Sequence, residues 1–160
     1  MNKRDLLQHI IKQLEAVHQN AIAAAERAHS SATDKENVAE NKYDTLGLEA
    51  AYLAEGQSRR VAECEEELKA FQRLLGSVKD EPEEIKIGSF VTLEDEQGVV
   101  KNIFLAVCAG GLKINYQSKE VMLVTASAPL GKALLGLGID DEITLKHVDE
   151  DKHYQVLDCV

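Results

Sequence analysis

Two long stretches of the chain repeat apolar or small residues at alternating steps of three and four positions. In the first stretch these residues are Leu7, Ile10, Leu14, Val17, Ala21, Ala24 and Ala28. In the second stretch they are Gly47, Ala50, Ala54, Gln57, Val61, Cys64, Leu68, Phe71 and Leu75. This spacing keeps one narrow stripe on each helix, which we call the seam, and it is typical of helices that pack as a coiled coil. It predicts helices over residues 3–31 and 43–75.

The segment between the two stretches, residues 33–42, has no sustained apolar periodicity and is acidic. It contains Asp34, Glu36 and Glu40, and Asp44 lies two positions after its end. A short polar segment between two helices of similar length predicts the tip of a long antiparallel hairpin, and we call this segment the tip. Positions whose numbers sum to roughly 75 then face each other across the seam.

Two signals mark the predicted ends of the second helix. Thr33 followed by Glu36 fits a capping box, which indicates that this helix could begin earlier than residue 43. Gly76 is a candidate for its C-terminal cap. The polar segment 76–84 that follows contains a proline and predicts a linker between a hairpin over residues 1–75 and a globular domain over residues 85–160.

The C-terminal part of the chain changes to the alternation of β-strands. Strands are expected over 85–93, 99–108, 112–116, 120–125, 142–148 and 154–160. Ser127 is expected to cap a short helix over 128–135, with Pro129 in its first turn. The fold class is therefore α+β: an antiparallel coiled-coil hairpin followed by a mostly antiparallel sheet with one short helix.

Composition excludes several classes of function. The net charge of -10 argues against binding duplex nucleic acid through its phosphates, which requires a basic face. The three cysteines are far apart and have no metal-site spacing, so reduced thiols in a cytoplasmic protein are expected. The N-terminus resembles neither a signal peptide nor a membrane span, and no small-molecule substrate is indicated.

The segment Ser127-Ala128-Pro129-Leu130-Gly131-Lys132-Ala133-Leu134-Leu135-Gly136, followed by Ile139-Asp140-Asp141-Glu142-Ile143, resembles a signature of the Gre transcript-cleavage factors. Lys35-Glu36-Asn37 at the tip is similar to the Gre tip. The resemblance implies an FKBP-like C-terminal domain that docks on bacterial RNA polymerase. It also implies that the hairpin enters the secondary channel of the polymerase, where backtracked RNA is cut by the polymerase itself.

The resemblance implies roles for particular residues. Asp34, Glu36 and Glu40 would be the catalytic carboxylates, and Asp34 and Glu36 would help to hold a Mg²⁺ ion shared with the polymerase, with indirect contact to nascent RNA. This agrees with the preference of Mg²⁺ for carboxylate oxygens. Ser127, Pro129, Leu134 and Asp141 would bind the polymerase. The chain would not be an enzyme by itself.

The tip departs from the family pattern at one position. The family places an Asp three residues before the Glu of its Lys-Glu-Asn, and here that position is Thr33. Three hypotheses therefore stay open: a factor that stimulates transcript cleavage, a Gre-like competitor that occupies the channel without stimulating cleavage, and a protein-interaction scaffold. A structural role also stays open for the acids, since Glu36 could close a capping box and Asp34 could favour a helix N-terminus.

Overall fold

The computed structural model describes residues 2–34, 38, 40, 45–78, 84–146 and 151–160. The elements follow in the order α1 (Lys3–Thr33), α2 (Leu46–Ser77), β1 (Phe90–Asp95), β2 (Val100–Ala106), β3 (Lys113–Tyr116), β4 (Lys119–Thr125), α3 (Pro129–Leu134), β5 (Glu142–Leu145) and β6 (Lys152–Cys159). Two long helices precede a six-stranded sheet with one short helix, so the predicted α+β class is confirmed. None of the helices in the described ranges is long and apolar enough to cross a membrane.

The chain divides into two compact units. One is Ile11–Lys69, and the other joins Met1–Ile10 to Ala70–Val160. The base of each long helix thus belongs to the same unit as the sheet. The domain boundary expected at residues 76–84 stays a prediction, since residues 79–83 lie outside the described part of the chain.

Burial along the two long helices follows the predicted seam. In α1 every seam position is buried or half-buried, and in α2 the residues from 46 to 64 that are not fully exposed are the seam positions Gly47, Ala50, Ala54, Gln57, Val61 and Cys64. Burial at steps of three and four shows that one stripe of each helix is covered. The predicted pairing of positions across the seam stays a prediction.

The ends of these helices differ from the predicted caps. Thr33 is the last residue of α1, and its hydroxyl donates to the carbonyl oxygens of His29 at 3.0 Å and Ser30 at 3.3 Å. It therefore closes the last turn of α1 and does not cap the following helix. Gly76 lies inside α2, which continues to Ser77, so the predicted C-terminal cap at Gly76 is wrong.

The sheet has the strand order β3-β4-β2-β1-β6-β5. Four of its five neighbouring pairs are antiparallel, and β2 and β4 are parallel over the register from Asn102↔Val121 to Ala106↔Thr125. β3 forms a hairpin with β4 and lies at the outer edge. The mostly antiparallel sheet expected from the sequence is confirmed.

Both faces of the sheet bury apolar side chains. One face packs with α3 around a core cluster that includes Val91, Leu93, Ile103, Leu105, Val124, Leu134 and Val156. On the opposite face Phe104 of β2 stacks with Phe71 of α2, and Tyr116 of β3 contacts His9 of α1. The sheet therefore lies between the short helix and the bases of the two long helices.

The start of α3 shows that the predicted N-terminal cap of this helix is wrong and that position 131 requires glycine. Ala128 occupies the N-cap position without a side-chain cap, whereas the hydroxyl of Ser127 is 3.1 Å from that of Thr125. Ser127 is therefore not the cap. A Cβ on Gly131 would overlap the main-chain carbonyl of Thr125, so the close approach of α3 to the end of β4 requires glycine at this position.

The three cysteines, all in the described part of the chain, form no disulfide, as the sequence predicted. Cys64 is buried in α2 and is 2% exposed. Cys108 is half-buried just beyond the end of β2.

Candidate functional site: the acidic tip and the β4–β5 segment

The described part of the tip exposes its carboxylates. Asp34 is exposed and follows the last residue of α1, and Glu40 is exposed in a bend further along. Val38, between them, is 66% exposed. Glu36 and the reserve candidate Asp44 lie outside the described residues, as do Lys35 and Asn37. The structure thus gives the positions of two of the predicted tip acids.

The position of Asp34 is electrostatically unfavourable for the helix that precedes it. The C-terminal end of a helix carries partial negative charge, so a carboxylate there opposes the dipole, an effect of typically about 0.3–1 kcal/mol. No basic residue lies in the last turn of α1 to compensate. The alternative that Asp34 stabilises a helix N-terminus is therefore wrong, because Asp34 follows a C-terminus.

The described residues provide no complete metal site. No group of three or more His, Cys, Asp or Glu side chains within the described ranges is placed to hold a metal ion. The tip acids offer the hard oxygen donors that Mg²⁺ takes, and Mg²⁺ usually keeps several waters and few protein ligands. Asp34 and Glu36 as ligands of a shared Mg²⁺ stay a prediction.

The outer surface of α2 is covered by short-range ion pairs. Arg59 pairs with Glu55 at 3.3 Å, and Lys69 pairs with Glu65 at 3.0 Å. The hydrogen bond from Lys69 lowers the pKa of Glu65, and the same bond raises the pKa of Lys69. All four side chains are largely exposed, so these pairs contribute little to stability.

The four predicted polymerase-binding residues lie in the segment between β4 and β5, and they differ in exposure. Ser127, Pro129 and Asp141 are exposed. The Asp141 carboxylate accepts a hydrogen bond from the main-chain N–H of Gly138 at 2.7 Å, which fixes the loop. Leu134 has 0% exposure and belongs to the core under α3, so its side chain cannot contact a partner directly.

Sequence reasoning missed several exposed apolar residues. In the β4–β5 segment Leu135 and Ile139 are 42% and 53% exposed. On α2 near the tip, Leu46, Leu48, Tyr52 and Leu53 are all more than half exposed. Two signals were available. The four residues on α2 fall outside the seam repeat. In the predicted helix over 128–135, Leu134 and Leu135 are adjacent and therefore point in different directions.

The comparisons with known proteins identify structures of the family that the sequence resembles. No family model matches the chain, and no curated protein matches it. The structure is similar to Gfh1, GreA factor homolog 1, of Thermus thermophilus at 22% identity, over 98% of this chain and 94% of that one, with a TM-score of 0.39. It is similar to Gfh1 of Thermus aquaticus at 22% identity, over 97% and 92% of the two chains, with a TM-score of 0.41.

A third similar structure is the transcription elongation factor GreA/GreB from Nitrosomonas europaea. Its identity to this chain is 17%, the match covers 57% of this chain and 77% of that one, and the TM-score is 0.38.

Proposed function

We propose that this chain is a Gre-like transcription factor that binds bacterial RNA polymerase in the cytoplasm. The hairpin enters the secondary channel, and the tip carboxylates modulate cleavage of backtracked RNA by the polymerase. Asp34, Glu36 and Glu40 act at the polymerase active site, where Asp34 and Glu36 add oxygen ligands to a Mg²⁺ ion that the polymerase also holds. The chain itself is not an enzyme.

The observation that supports this role most directly is the placement of Asp34. Its carboxylate is exposed at the C-terminal end of a 31-residue helix, where negative charge weakens the helix. A helix of that length spans roughly 46 Å at 1.5 Å per residue. An exposed acid at the end of such a helix fits a group that acts on an external ion.

The β4–β5 segment supports the proposed docking role of the globular part. It exposes Ser127, Pro129 and Asp141, three of the four residues that the family resemblance selects. The bond from Gly138 to the Asp141 carboxylate and the close packing of Gly131 hold the segment in one conformation. A preformed loop loses little entropy on binding. In this proposal Leu134 supports the loop from below and does not touch the polymerase.

The test is cleavage of RNA in a backtracked complex assembled from core bacterial RNA polymerase. Asp34→Asn and Glu36→Gln should each lower the rate of stimulated cleavage at least about tenfold, equivalent to about 1.4 kcal/mol of transition-state stabilisation. Glu40→Gln is tested beside them. Glu63→Gln, which removes an exposed carboxylate from the middle of α2, is the matched control and should leave the rate unchanged.

Binding to polymerase and the circular dichroism spectrum should be the same for all of these variants. If the wild-type chain binds polymerase and stimulates no cleavage, the catalytic role of the tip is wrong. If neutralising all the tip acids changes neither cleavage nor competition with other channel-binding factors, the tip has no role on the polymerase.

One observation favours the second candidate, a competitor that occupies the channel without stimulating cleavage. Thr33 stands where the family pattern has an Asp, and its hydroxyl is bonded to the last turn of α1. This position therefore supplies no carboxylate to a metal ion. Thr33→Asp separates the two candidates: in a competitor it should create cleavage activity, and in an active factor it should change the rate little.

A further inference from the structure

A groove in the globular unit is lined by residues of β1, β2, β3 and β4 and of the turn between β3 and β4. It encloses about 650 Å³ and opens where β2 and β4 begin to pair. The parallel register starts at Asn102↔Val121, so the preceding residues, Val100–Lys101 on β2 and Lys119–Glu120 on β4, diverge from each other. The sheet therefore forks at this point, and we call the space inside the fork the lysine groove.

The lysine groove is positively charged in a protein that is strongly acidic. Lys101, Lys113 and Lys119 line it together with one acid, Glu120, which gives +3 - 1 = +2 against -10 for the whole chain. Lys113 pairs with Glu120 at 2.9 Å, and both side chains are more than half exposed. An exposed pair of this kind is weak, so a carboxylate from a ligand can replace Glu120 as the partner of Lys113.

Lys101 is held at one side of the lysine groove. Its ammonium lies 4.8 Å from the centre of the Tyr154 ring and donates to the Tyr154 hydroxyl at 3.1 Å. These contacts fix a positive charge without neutralising it. Lys113 and Lys119 are left as the two exposed cations that a ligand would meet first.

A hydrogen-bond acceptor beside this groove lacks a partner. The Asn102 side chain donates through Nδ2 to the carbonyl oxygen of Glu120 at 3.3 Å. Its Oδ1 atom is buried and accepts no hydrogen bond in the described structure. A buried acceptor without a donor is energetically unfavourable, because it has lost its hydrogen bonds to water. A ligand that brings an N–H group into the fork, with a rotation of the Asn102 amide toward the groove, removes this cost.

The remaining lining is apolar and adaptable. Ile103 is buried, Met122 is half-buried, and Val100 is 50% exposed at the mouth. Methionine side chains adjust to differently shaped partners because they are unbranched and flexible. The groove therefore offers an apolar surface between its two outer cations and its amide acceptor.

We propose that the lysine groove binds an extended acidic peptide segment of a partner protein. Carboxylates of the peptide pair with Lys113 and Lys119, a main-chain N–H donates to Asn102 Oδ1, and an aliphatic side chain packs on Val100 and Met122. An extended peptide fits because it presents main-chain donors and alternating side chains at the end of an open sheet. The site goes beyond the proposed action on RNA polymerase and does not depend on it.

A nucleic acid fits this groove less well. The lining contains no aromatic residue on which a base could stack, although stacking dominates single-strand binding. A phosphate oxygen offers no N–H to Asn102, whereas a peptide main chain does. Single-stranded RNA is therefore an outcome of the test and not the proposed ligand.

The experiment starts from a randomised heptapeptide library displayed on phage and selected on the immobilised full-length chain. Selected peptides should be enriched in Asp and Glu and should contain at least one aliphatic residue. The dissociation constant of a labelled selected peptide is then measured by fluorescence anisotropy, with a labelled single-stranded RNA of twelve uridines as the second probe. Selection of basic or purely aromatic peptides, or of none, overturns the proposal.

Variants of the full-length chain locate the site. The double substitution Lys113→Gln and Lys119→Gln should weaken the peptide at least tenfold, whereas Lys132→Gln, an exposed lysine on α3 outside the groove, should leave the affinity unchanged. Asn102→Leu should weaken the peptide several-fold with little change in the melting temperature, because the acceptor that it removes has no partner and the bond from Nδ2 to Glu120 that it also removes is long, at 3.3 Å. Equal binding by wild type and the double variant, or RNA binding as tight as peptide binding, overturns the proposal.

Discussion

Phe71 of α2 and Phe104 of β2 stack with their ring centroids 6.4 Å apart and their planes inclined by 28°. Phe71 and Phe104 are 0% exposed and are the two largest fully buried side chains of the described structure. Phe71 is also a seam position. The same side chain therefore belongs to the apolar repeat of α2 and packs against the sheet. The base of α2 is thereby part of the globular unit.

We expect Phe71→Ala to lower the free energy of unfolding by about 3–5 kcal/mol, because it removes a buried ring and leaves a cavity. Urea unfolding followed by circular dichroism measures the change. Tyr52→Ala on the same helix is the control: Tyr52 is 66% exposed, and its loss should change stability by less than about 0.5 kcal/mol. Equal effects of the two substitutions would show that the base of α2 does not pack on the sheet.

Gly131→Ala should destabilise the globular unit by about 3 kcal/mol, because the added methyl group overlaps the main-chain carbonyl of Thr125 and one of the two elements must shift. Gly56→Ala is the matched substitution in a helix. Gly56 has open space around its Cβ position, so alanine should stabilise α2 by about 0.5–1 kcal/mol. Thermal unfolding measures both, and opposite signs are expected. A stabilising Gly131→Ala would contradict the close contact of α3 with β4.

Ala21→Leu should destabilise the hairpin by about 1–3 kcal/mol. Ala21 is a seam position with 8% exposure, and a larger side chain there must push the neighbouring surface away. Ala62→Leu places the same side chain on an exposed position of α2 and should change stability little. The helical signal at 222 nm during heating is the readout. If Ala21→Leu raises the melting temperature, the seam is loosely packed near this residue.

Stability should decrease at alkaline pH through Cys64. Burial, the largest cause, raises the pKa of the Cys64 thiol above its ordinary value of 9.0, nearby Arg60 opposes the shift, and Glu67 and Glu63 add to it. The folded state then binds the proton more tightly than the unfolded state, so stability is constant below about pH 8 and falls as the pH rises through 9 and above. Urea unfolding between pH 7 and pH 10 measures the slope, and Cys64→Ala should reduce the slope above pH 9. An unchanged slope would assign the alkaline loss to other groups, among them Cys159, whose pKa burial also raises.

The long helices could be predicted from the sequence because their signal is local. Steps of three and four between apolar residues indicate which face of a helix is buried, and the seam residues of α1 and α2 are all buried or half-buried. The ends were less accurate because they depend on individual hydrogen bonds. The Thr33 hydroxyl had two possible uses, at the end of one helix or the start of the next, and it bonds to His29 and Ser30.

The start of the sheet was not predictable from local alternation. Ile85, Ile87 and Val91 alternate like a strand, yet β1 begins at Phe90. The main chain of Ile85 bonds with Leu137 and Gly136, about fifty residues away, and such a contact leaves no local signal. For the same reason, no local signal indicates that β2 and β4 are neighbours in the sheet. The lysine groove between them could therefore not be predicted either. At the tip the acids were found from composition and resemblance, and only the structure showed that Asp34 follows a helix C-terminus.

The strand order has a consequence for how this protein is made. β6, the last element of the chain, lies inside the sheet between β1 and β5, and the N-terminal residues Met1–Ile10 belong to the same compact unit. Val156 leaves the ribosome's catalytic centre 150 residues after Leu6, a delay of roughly 8–30 s at bacterial and eukaryotic synthesis rates. The globular unit therefore cannot be completed before β6 has been synthesised, and until then the apolar base of α1 lacks its packing partners. A nascent chain stalled before residue 152 should accordingly be more sensitive to protease and to chaperone capture than the released protein.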